Sequence, residues 1–359
     1  MSQKEEYFTI FEQLKKQHRE TPVQSINNKI LVVDFLNTFI RSFTGSPAMN
    51  NNGEHIGGIT GFLYSMGNAI RTFGATRCIL VSDGENSAAR KRKIYPEYKD
   101  RRKVKFNVNR QYDFKDETEE RQAMYLQMQI LLKYLEQMPL QLVTINSTEA
   151  DDVMSYIAKE VFCKNENEVI LMSSDKDFLQ LVDERITVWS PTKKKLYTPK
   201  AIMDEYGVHP NNFLLYRTLD GDKSDNLPGV QGVGLKTLQK YMPFFAEEKK
   251  TNITEIIKYA ETQNEGKKKL KFYENIINSK DLLNMNEKLM QLEMPNISEN
   301  NKAKIREQIR RKIPLLNKPQ LQLMYIKDGI SSAMPDINSW LLKTFTTLNS
   351  FAQNQNGEV

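Results

Sequence analysis

The chain has 359 residues, enough to bury a substantial core in one large domain or two unequal ones. Charged residues make up 27% and the formal net charge is +6, which argues against disorder and for a polyanionic partner. Two distant cysteines (Cys78, Cys163) argue against a disulfide scaffold or zinc ribbon, and three scattered histidines (His18, His55, His209) direct any metal to oxygen ligands.

Residues 1–28 set Phe8, Phe11 and Leu14 at helical spacing among charges, predicting an amphipathic helical extension. Lys29-Ile-Leu-Val-Val-Asp34 is a continuous apolar run ending in an acid, and Cys78–Asp83 and Glu168–Asp175 repeat the design. Such runs suit strands buried on both faces of a parallel sheet. Helical patterns over Ile59–Phe73 and Glu119–Met138 lie between them, so the expected fold class is α/β, a doubly wound, mostly parallel sheet. Ligands of an open parallel sheet bind beyond the carboxyl ends of its strands, where Asp34, Asp83 and Asp175 all fall. One aspartate there is ordinarily a helix cap; three predict a shared site.

Thr148-Glu-Ala-Asp-Asp152 opens a helix whose apolar face is Val153, Ile157, Ala158, Val161 and Phe162. Thr148 can cap it, and acids in a first turn suit the helix dipole. Glu149, Asp151 and Asp152 nevertheless exceed what capping needs and would repel one another without a cation. Asp177, two residues beyond Asp175, joins the set. Between Asp83 and Glu149 lies Arg90–Arg110, with ten basic residues against two acidic ones, an excess larger than that of the whole chain. A solvated basic loop or localisation signal is the plain reading. Tyr95, Tyr98, Phe106, Tyr112 and Phe114 interleave the charges, however, which suits stacking on unpaired bases. Asn52-Gly-Glu-His-Ile-Gly-Gly-Ile-Thr-Gly-Phe-Leu63 reads, on its residues, as a plain glycine-rich turn.

The run Leu219–Tyr241 clusters Asp220, Asp222 and Asp225 around a glycine. It then passes through Gly229, Gly232, Gly234, Lys236 and Thr237 into a helix. Turn chemistry explains either half alone. Joined, acids beside a glycine cradle at a helix start suit a divalent cation between carboxylates and a phosphate. The joined run resembles the 5′-nuclease or flap endonuclease family, which includes the bacteriophage 5′-exonucleases, a phage nuclease of RNase H type, and the nuclease part of bacterial DNA polymerase I. Tyr95-Pro-Glu-Tyr-Lys99, Glu149-Ala-Asp-Asp152 and Ile277–Pro295 extend the resemblance to roughly residues 29–300.

The resemblance implies a PIN-like α/β nuclease domain over 29–190 with a helical arch near 90–118. It further implies a helix–hairpin–helix and helical region over 191–300, followed by a C-terminal helical extension at 301–359. It assigns Asp34, Asp83, Glu149 and Asp151 to one Mg2+ and Asp175, Asp177 and Asp225 to another, with Asp152 and Asp222 acting through water or between them. Mn2+ is expected to substitute, and metal-activated water rather than an acid is the expected nucleophile. Lys99 matches the catalytic lysine of the arch base, Arg102 is expected on the phosphates, and Lys91 is a weaker DNA-binding match. Asp100-Arg101 departs from the small-residue–Asn pair common in relatives, which leaves the register of phosphate contacts open. Gly229, Gly232, Gly234, Lys236 and Thr237 are expected on the duplex backbone, in a hairpin that permits a K+ ion.

The expected function is thus a magnesium-dependent, structure-specific 5′ nuclease of DNA replication or repair. Its expected partners are branched or 5′-ended DNA, RNA–DNA hybrid at primers, and replication proteins such as single-stranded-DNA-binding protein or a sliding clamp. Residues 300–359 contain no convincing clamp peptide and no assignable chemistry. A PIN-type ribonuclease and a non-catalytic binder of branched DNA are the rivals. No apolar run spans a bilayer and the charged N-terminus is no secretory signal, so a soluble protein of the cytoplasm (the host's, if phage-encoded) is expected.

Overall fold

Side chains that alternate along one buried strand feed two different cores, and this organises the molecule. In a computed structural model describing residues 27–100, 112–265 and 270–355, the strands are β1 (Lys29–Asp34), β2 (Arg77–Asp83), β3 (Gln141–Ile145), β4 (Glu168–Met172), β5 (Ile186–Ser190) and β6 (Lys195–Tyr197). Ile30, Val32, Ile79, Val81, Val169 and Leu171 enter the apolar core on one face. Leu31, Val33, Cys78, Leu80, Ile170 and Met172 enter the core on the other. Burial on both faces explains why these three strands read as unbroken apolar runs.

The sheet order is β3-β2-β1-β4-β5-β6. All neighbours are parallel except β5 and β6. Growth of the sheet reverses between β1 and β4, so a crevice opens beyond their carboxyl ends. Strands β3, β5 and β6 have no counterpart in the sequence reading. Each is short, and β3 alternates buried and exposed residues as an edge does. Its free edge is covered by a side chain: the Gln308 amide accepts from Thr144 N at 3.1 Å and donates to Thr144 O at 3.2 Å.

Helices α1 (Phe35–Gly45), α2 (Gly57–Phe73) and α4 (Glu117–Leu135) pack on the second face, and α3 (Ala89–Ile94) follows β2. The opposite face carries α5 (Ala150–Tyr156), α6 (Pro199–Tyr206), α7 (Pro210–Asp220), α8 (Leu235–Tyr241), α9 (Ile253–Asn264), α10 (Lys271–Ile277), α11 (Lys280–Met290) and α12 (Glu299–Arg310). One core on that face runs from Ile30 to Ile309. The chain then returns to the second face through α13 (Lys318–Lys327) and α14 (Ile337–Gln355). There Trp340 lies on Gly67 of α2, where a Cβ would come within 2.9 Å of the indole, and Arg71 donates to Thr344 at 2.6 Å. No helix among the described residues is long and apolar enough to cross a membrane. The expected helix around Phe8, Phe11 and Leu14, and Arg102, Phe106 and Arg110 of the basic stretch, lie outside the described residues.

Candidate active site

Each strand end delivers its acid in a defined pose. Asp34 closes β1 and caps α1, accepting from Asn37 N at 3.1 Å, while its other oxygen accepts from the Ser173 hydroxyl at 3.0 Å. Burial, opposed by those hydrogen bonds and reinforced by the charges of Asp175 and Asp83, pushes its carboxyl up to about 6. Asp83 is exposed and accepts the Ala150 amide at 2.8 Å, which ties β2 to the acidic start of α5. Asp175 lies three residues beyond β4 and caps a 3-10 turn over Lys176–Leu181, accepting from Asp177 N at 2.9 Å. Asp34 and Asp175 thus both cap helices, while Asp83 accepts an amide of another element.

Thr148, by contrast, is not the cap of α5: Glu149 holds that position, and Thr148 Oγ1 accepts from Asn301 at 2.9 Å. Asp151 is held well above the usual carboxylate range by burial and by Asp175 and Asp34, against the pull of Lys99. Burial also raises Asp152, against Lys91.

Glu149 is the point where the basic stretch meets the acids. Its side chain is 3% exposed; Lys91 lies 2.6 Å from one oxygen and Lys99 pairs with the other. Burial alone would raise this carboxyl, but the two ammonium groups hold it down to about 2. Tyr98 connects the same residue to the hairpin, its hydroxyl lying 3.2 Å from Glu149 Oε2 and 3.2 Å from Asp225 Oδ2. The backbone completes the joint: Lys99 N donates to Asp225 O at 3.0 Å, and Asn226 Nδ2 donates to Glu97 O at 3.0 Å. Lys99 and Asn226 both sit at positive φ, 55° and 63°, as a tight two-sided corner requires.

Arg217 organises the third group of acids. Its guanidinium, 5% exposed, lies 2.6 Å from both Asp177 and Asp222 and donates to Gly221 O at 3.1 Å. Burial and Asp175 raise Asp177 to about 7 despite this partner. Asp222 falls below the usual range: burial opposes ionisation, but the Ser224 hydroxyl and amide and Arg217 outweigh it. An antiparallel bridge between Asp222 and Leu227 closes the acidic loop. Gly221 (φ 74°) and Gly229 allow its two ends to touch, since a Cβ on Gly229 would overlap the Asp220 carbonyl. Asn286 of α11 pins the loop by donating to Thr218 O at 3.1 Å and Pro228 O at 2.8 Å.

The remaining hairpin residues face outward. Gly232 has φ 79°, Gly234 has open space where a Cβ would stand, and Lys236 is exposed at the start of α8. Thr237 Oγ1 donates to Gly232 O at 3.2 Å.

Several aromatic residues of the basic stretch are committed to the protein rather than offered to bases. Tyr98 is 2% exposed inside the acidic network. Phe114 is buried against Phe43 and His55, with Tyr112 beside it. Tyr95 is half-buried and bonds Glu97 at 3.1 Å. Their spacing among charges served packing. Sequence reasoning missed Tyr98 as a bridge, Arg217 and Asn286. Tyr98 lay inside a motif already singled out, and Arg217 five residues before Asp222 was the available signal for the second.

The donor set is all oxygen, and its members raise one another's affinity for protons, which a divalent cation would relieve. Among the described residues no three of these groups enclose an ion as they stand. Glu149, Asp177 and Asp222 are each held by a lysine or arginine instead.

Residues 29–207 match the family model described as the N-terminal resolvase-like domain of 5′-3′ exonucleases. The chain is 31% identical over 210 residues to a 5′-3′ exonuclease of Buchnera aphidicola, covering 58% of this chain and 67% of the relative. It is 30% identical over 217 residues to that of Aquifex aeolicus, covering 59% and 69%. Thermostable DNA polymerase I of Thermus aquaticus matches at 38% over 116 residues, 32% of this chain and 14% of the polymerase. Among solved structures, bacteriophage T5 5′-exonuclease, described with bound zinc, aligns over 92% of this chain and 98% of its own at TM-score 0.58 and 18% identity. T5 flap endonuclease, described in complex with DNA and metal ions, aligns over 90% and 99% at TM-score 0.58 and 20% identity. These two likenesses concern the fold, a PIN-like mixed sheet with a helical C-terminal region. The sequence matches carry the conclusion that this chain belongs to the 5′-3′ exonuclease family.

Proposed function

We propose that the protein is a magnesium-dependent, structure-specific 5′ nuclease that cuts 5′ flaps and degrades DNA from 5′ ends, leaving a 5′-phosphate and a 3′-hydroxyl. One observation carries this reading. Acids from the ends of β1 and β2, the segment after β4, the start of α5 and the hairpin loop share one electrostatic field, into which the arch base inserts Lys99.

Asp34, Asp83, Glu149 and Asp151 would hold one ion and Asp175, Asp177 and Asp225 a second, with Asp152 and Asp222 acting through water. Bound there, the ions would supply Lewis acidity to the phosphate and lower the pKa of water, with Mn2+ able to replace Mg2+. Fold neighbours from bacteriophage T5 are described with bound metal ions and, in one case, with DNA, which supports a metal-dependent reading without bearing on which acids hold which ion. The protein's own part is positioning. Lys99, released from Glu149, places a cation on the phosphoryl group, with Arg102 on neighbouring phosphates. Lys91 holds Glu149 ionised from the other side. Gly229 keeps the hairpin closed, while Gly232, Gly234, Lys236 and Thr237 grip the duplex backbone with room for a K+ ion. Recognition of this kind admits RNA primers paired to DNA, in replication or repair, beside single-stranded-DNA-binding protein or a sliding clamp. Residues 29–190 then form the nuclease, 191–300 the duplex grip, and 301–359 a brace.

Side-by-side incubation of the protein with 5′-flap DNA and single-stranded RNA, together with the Asp175→Ala/Asp177→Ala variant, tests the reading. Cutting of the flap alone, lost in the variant while DNA binding persists, is expected. Preferred cutting of the RNA would favour a PIN-type ribonuclease, and wild-type turnover in the variant would overturn the metal assignment.

A further inference from the structure

A cavity of about 340 Å³ opens near the amino end of edge strand β3, between the end of α4 and the end of α12. The acids gather at the opposite, carboxyl ends of the strands, so this cavity lies apart from them. Its wall is largely apolar: Leu135 and Leu140 are buried in it, while Leu142 is 47% exposed. Leu315, next in sequence to Pro314 of the same wall, is 44% exposed. Arg311 and Lys312 stand at the cavity too, and the exposed Arg310 precedes them. Arg311 meets Glu307 in a solvent-exposed pair at 2.9 Å, and Lys312 forms no ion pair among the described residues.

An apolar hollow with cations at its rim suits apolar side chains that have acids beside them. The chain itself carries such a stretch outside the described residues: Glu5-Glu-Tyr-Phe-Thr-Ile-Phe-Glu12, with three acids and no base. The other stretches outside them do not match, since 101–111 and 266–269 are basic and 356–359 is the short Asn-Gly-Glu-Val. Reach is ample. Gln141 of the cavity wall lies opposite Ile79, and Ile79 opposite Val32 of β1. The cavity is thus two strand spacings, about 10 Å, from the strand that the N-terminal segment enters. The intervening stretch Gln13–Ile26 can span up to about 46 Å. Tethering also raises the local concentration of the segment, so modest contacts suffice to hold it. We propose that residues 5–12 fold back into this cavity, with Phe8 and Phe11 among Leu135, Leu140 and Leu142 and the three glutamates towards Arg311 and Lys312. The N-terminal segment then braces β3, α4 and α12 together, a role that goes beyond the nuclease reading and does not depend on it.

Photo-crosslinking of the full-length protein tests it, with the photoreactive p-benzoylphenylalanine in place of Phe8, dilute protein, and the linked peptides identified by mass spectrometry. Links within one chain to residues 132–142 and 308–315 are expected. In Leu142→Glu/Arg311→Glu their yield should fall by about tenfold, because like charges would then face each other. Both positions are exposed, and an unchanged near-ultraviolet circular dichroism spectrum reports that this variant keeps its fold. Adding Glu5→Lys/Glu6→Lys to it should restore the links, since the charges are then opposite again. Links that map elsewhere, such as to the exposed Leu323 and Ile326 of α13, overturn the proposal. So do links that join two copies of the chain, and so does an absence of links. Links to the cavity that survive Leu142→Glu/Arg311→Glu, or that the reversed charges fail to restore, overturn it as well.

Discussion

Tyr98 is the side chain through which the basic stretch touches the acids on both sides. Its hydroxyl lies between two carboxylates that are far apart in sequence, Glu149 and Asp225. Burial and those two charges keep the phenol protonated, so it remains a donor. Tyr98→Phe should therefore cost about 1–3 kcal/mol of stability and slow flap cleavage by about tenfold or more, measured by urea unfolding and single-turnover cleavage. Unchanged cleavage would reduce Tyr98 to packing. Arg217 has a heavier duty, since Asp177 and Asp222 would face each other without it. Arg217→Met should cost about 3–5 kcal/mol, as removing one partner of a buried pair does. Arg217→Lys should recover only part, because an ammonium cannot fork between two carboxylates. Both effects are read by urea unfolding. The nearness of Asp34, Asp83 and Asp175 was legible from sequence, because each ends or closely follows an apolar run and a parallel sheet brings such strand ends together. Tyr98 and Arg217 were not. A tyrosine among lysines and an arginine on a helix have many ordinary roles, and only the folded chain brings them to their partners.

At the scale of elements, the hairpin separates glycines needed for closure from glycines that face outward. A methyl group on Gly229 meets the Asp220 carbonyl, whereas one on Gly234 meets nothing within 4 Å. Gly229→Ala should destabilise the protein by about 1–3 kcal/mol through overpacking and should disturb Asp222 and Asp225. Gly234→Ala should leave thermal unfolding unchanged and weaken duplex binding, read by anisotropy. Loss of stability at Gly234 or none at Gly229 would reverse these assignments. The three central strands were readable because burial on both faces leaves no polar position. Strand β3 escaped because an edge strand of five residues carries polar Gln141 and Thr144 and depends for its cover on Gln308, more than 160 residues away. The aromatics of the basic stretch misled for a related reason: Phe114 serves the cluster of Phe43 and His55, whose spacing in sequence gives no hint of their meeting.

Across the whole molecule, the C-terminal helices return to brace the face of the sheet opposite the hairpin. Trp340, Leu341 and Phe345 enter the core that holds α1 and α2, so the helix capped by Asp34 is supported from behind by residues near the end of the chain. Trp340→Ala should cost about 3–5 kcal/mol while leaving the cleavage rate per folded molecule unchanged, as denaturation and activity at saturating DNA would report. A rate that fell with stability held constant would give α14 a direct part in the site. Metal-dependent cutting of DNA at a 5′ junction by the acids at the strand ends and hairpin is tested most directly with a 5′-labelled flap incubated with the protein in magnesium or in chelator, with product length read on a gel. A fragment cut at the junction is expected in magnesium alone. Tight binding without any cut, in magnesium and in manganese, would contradict it.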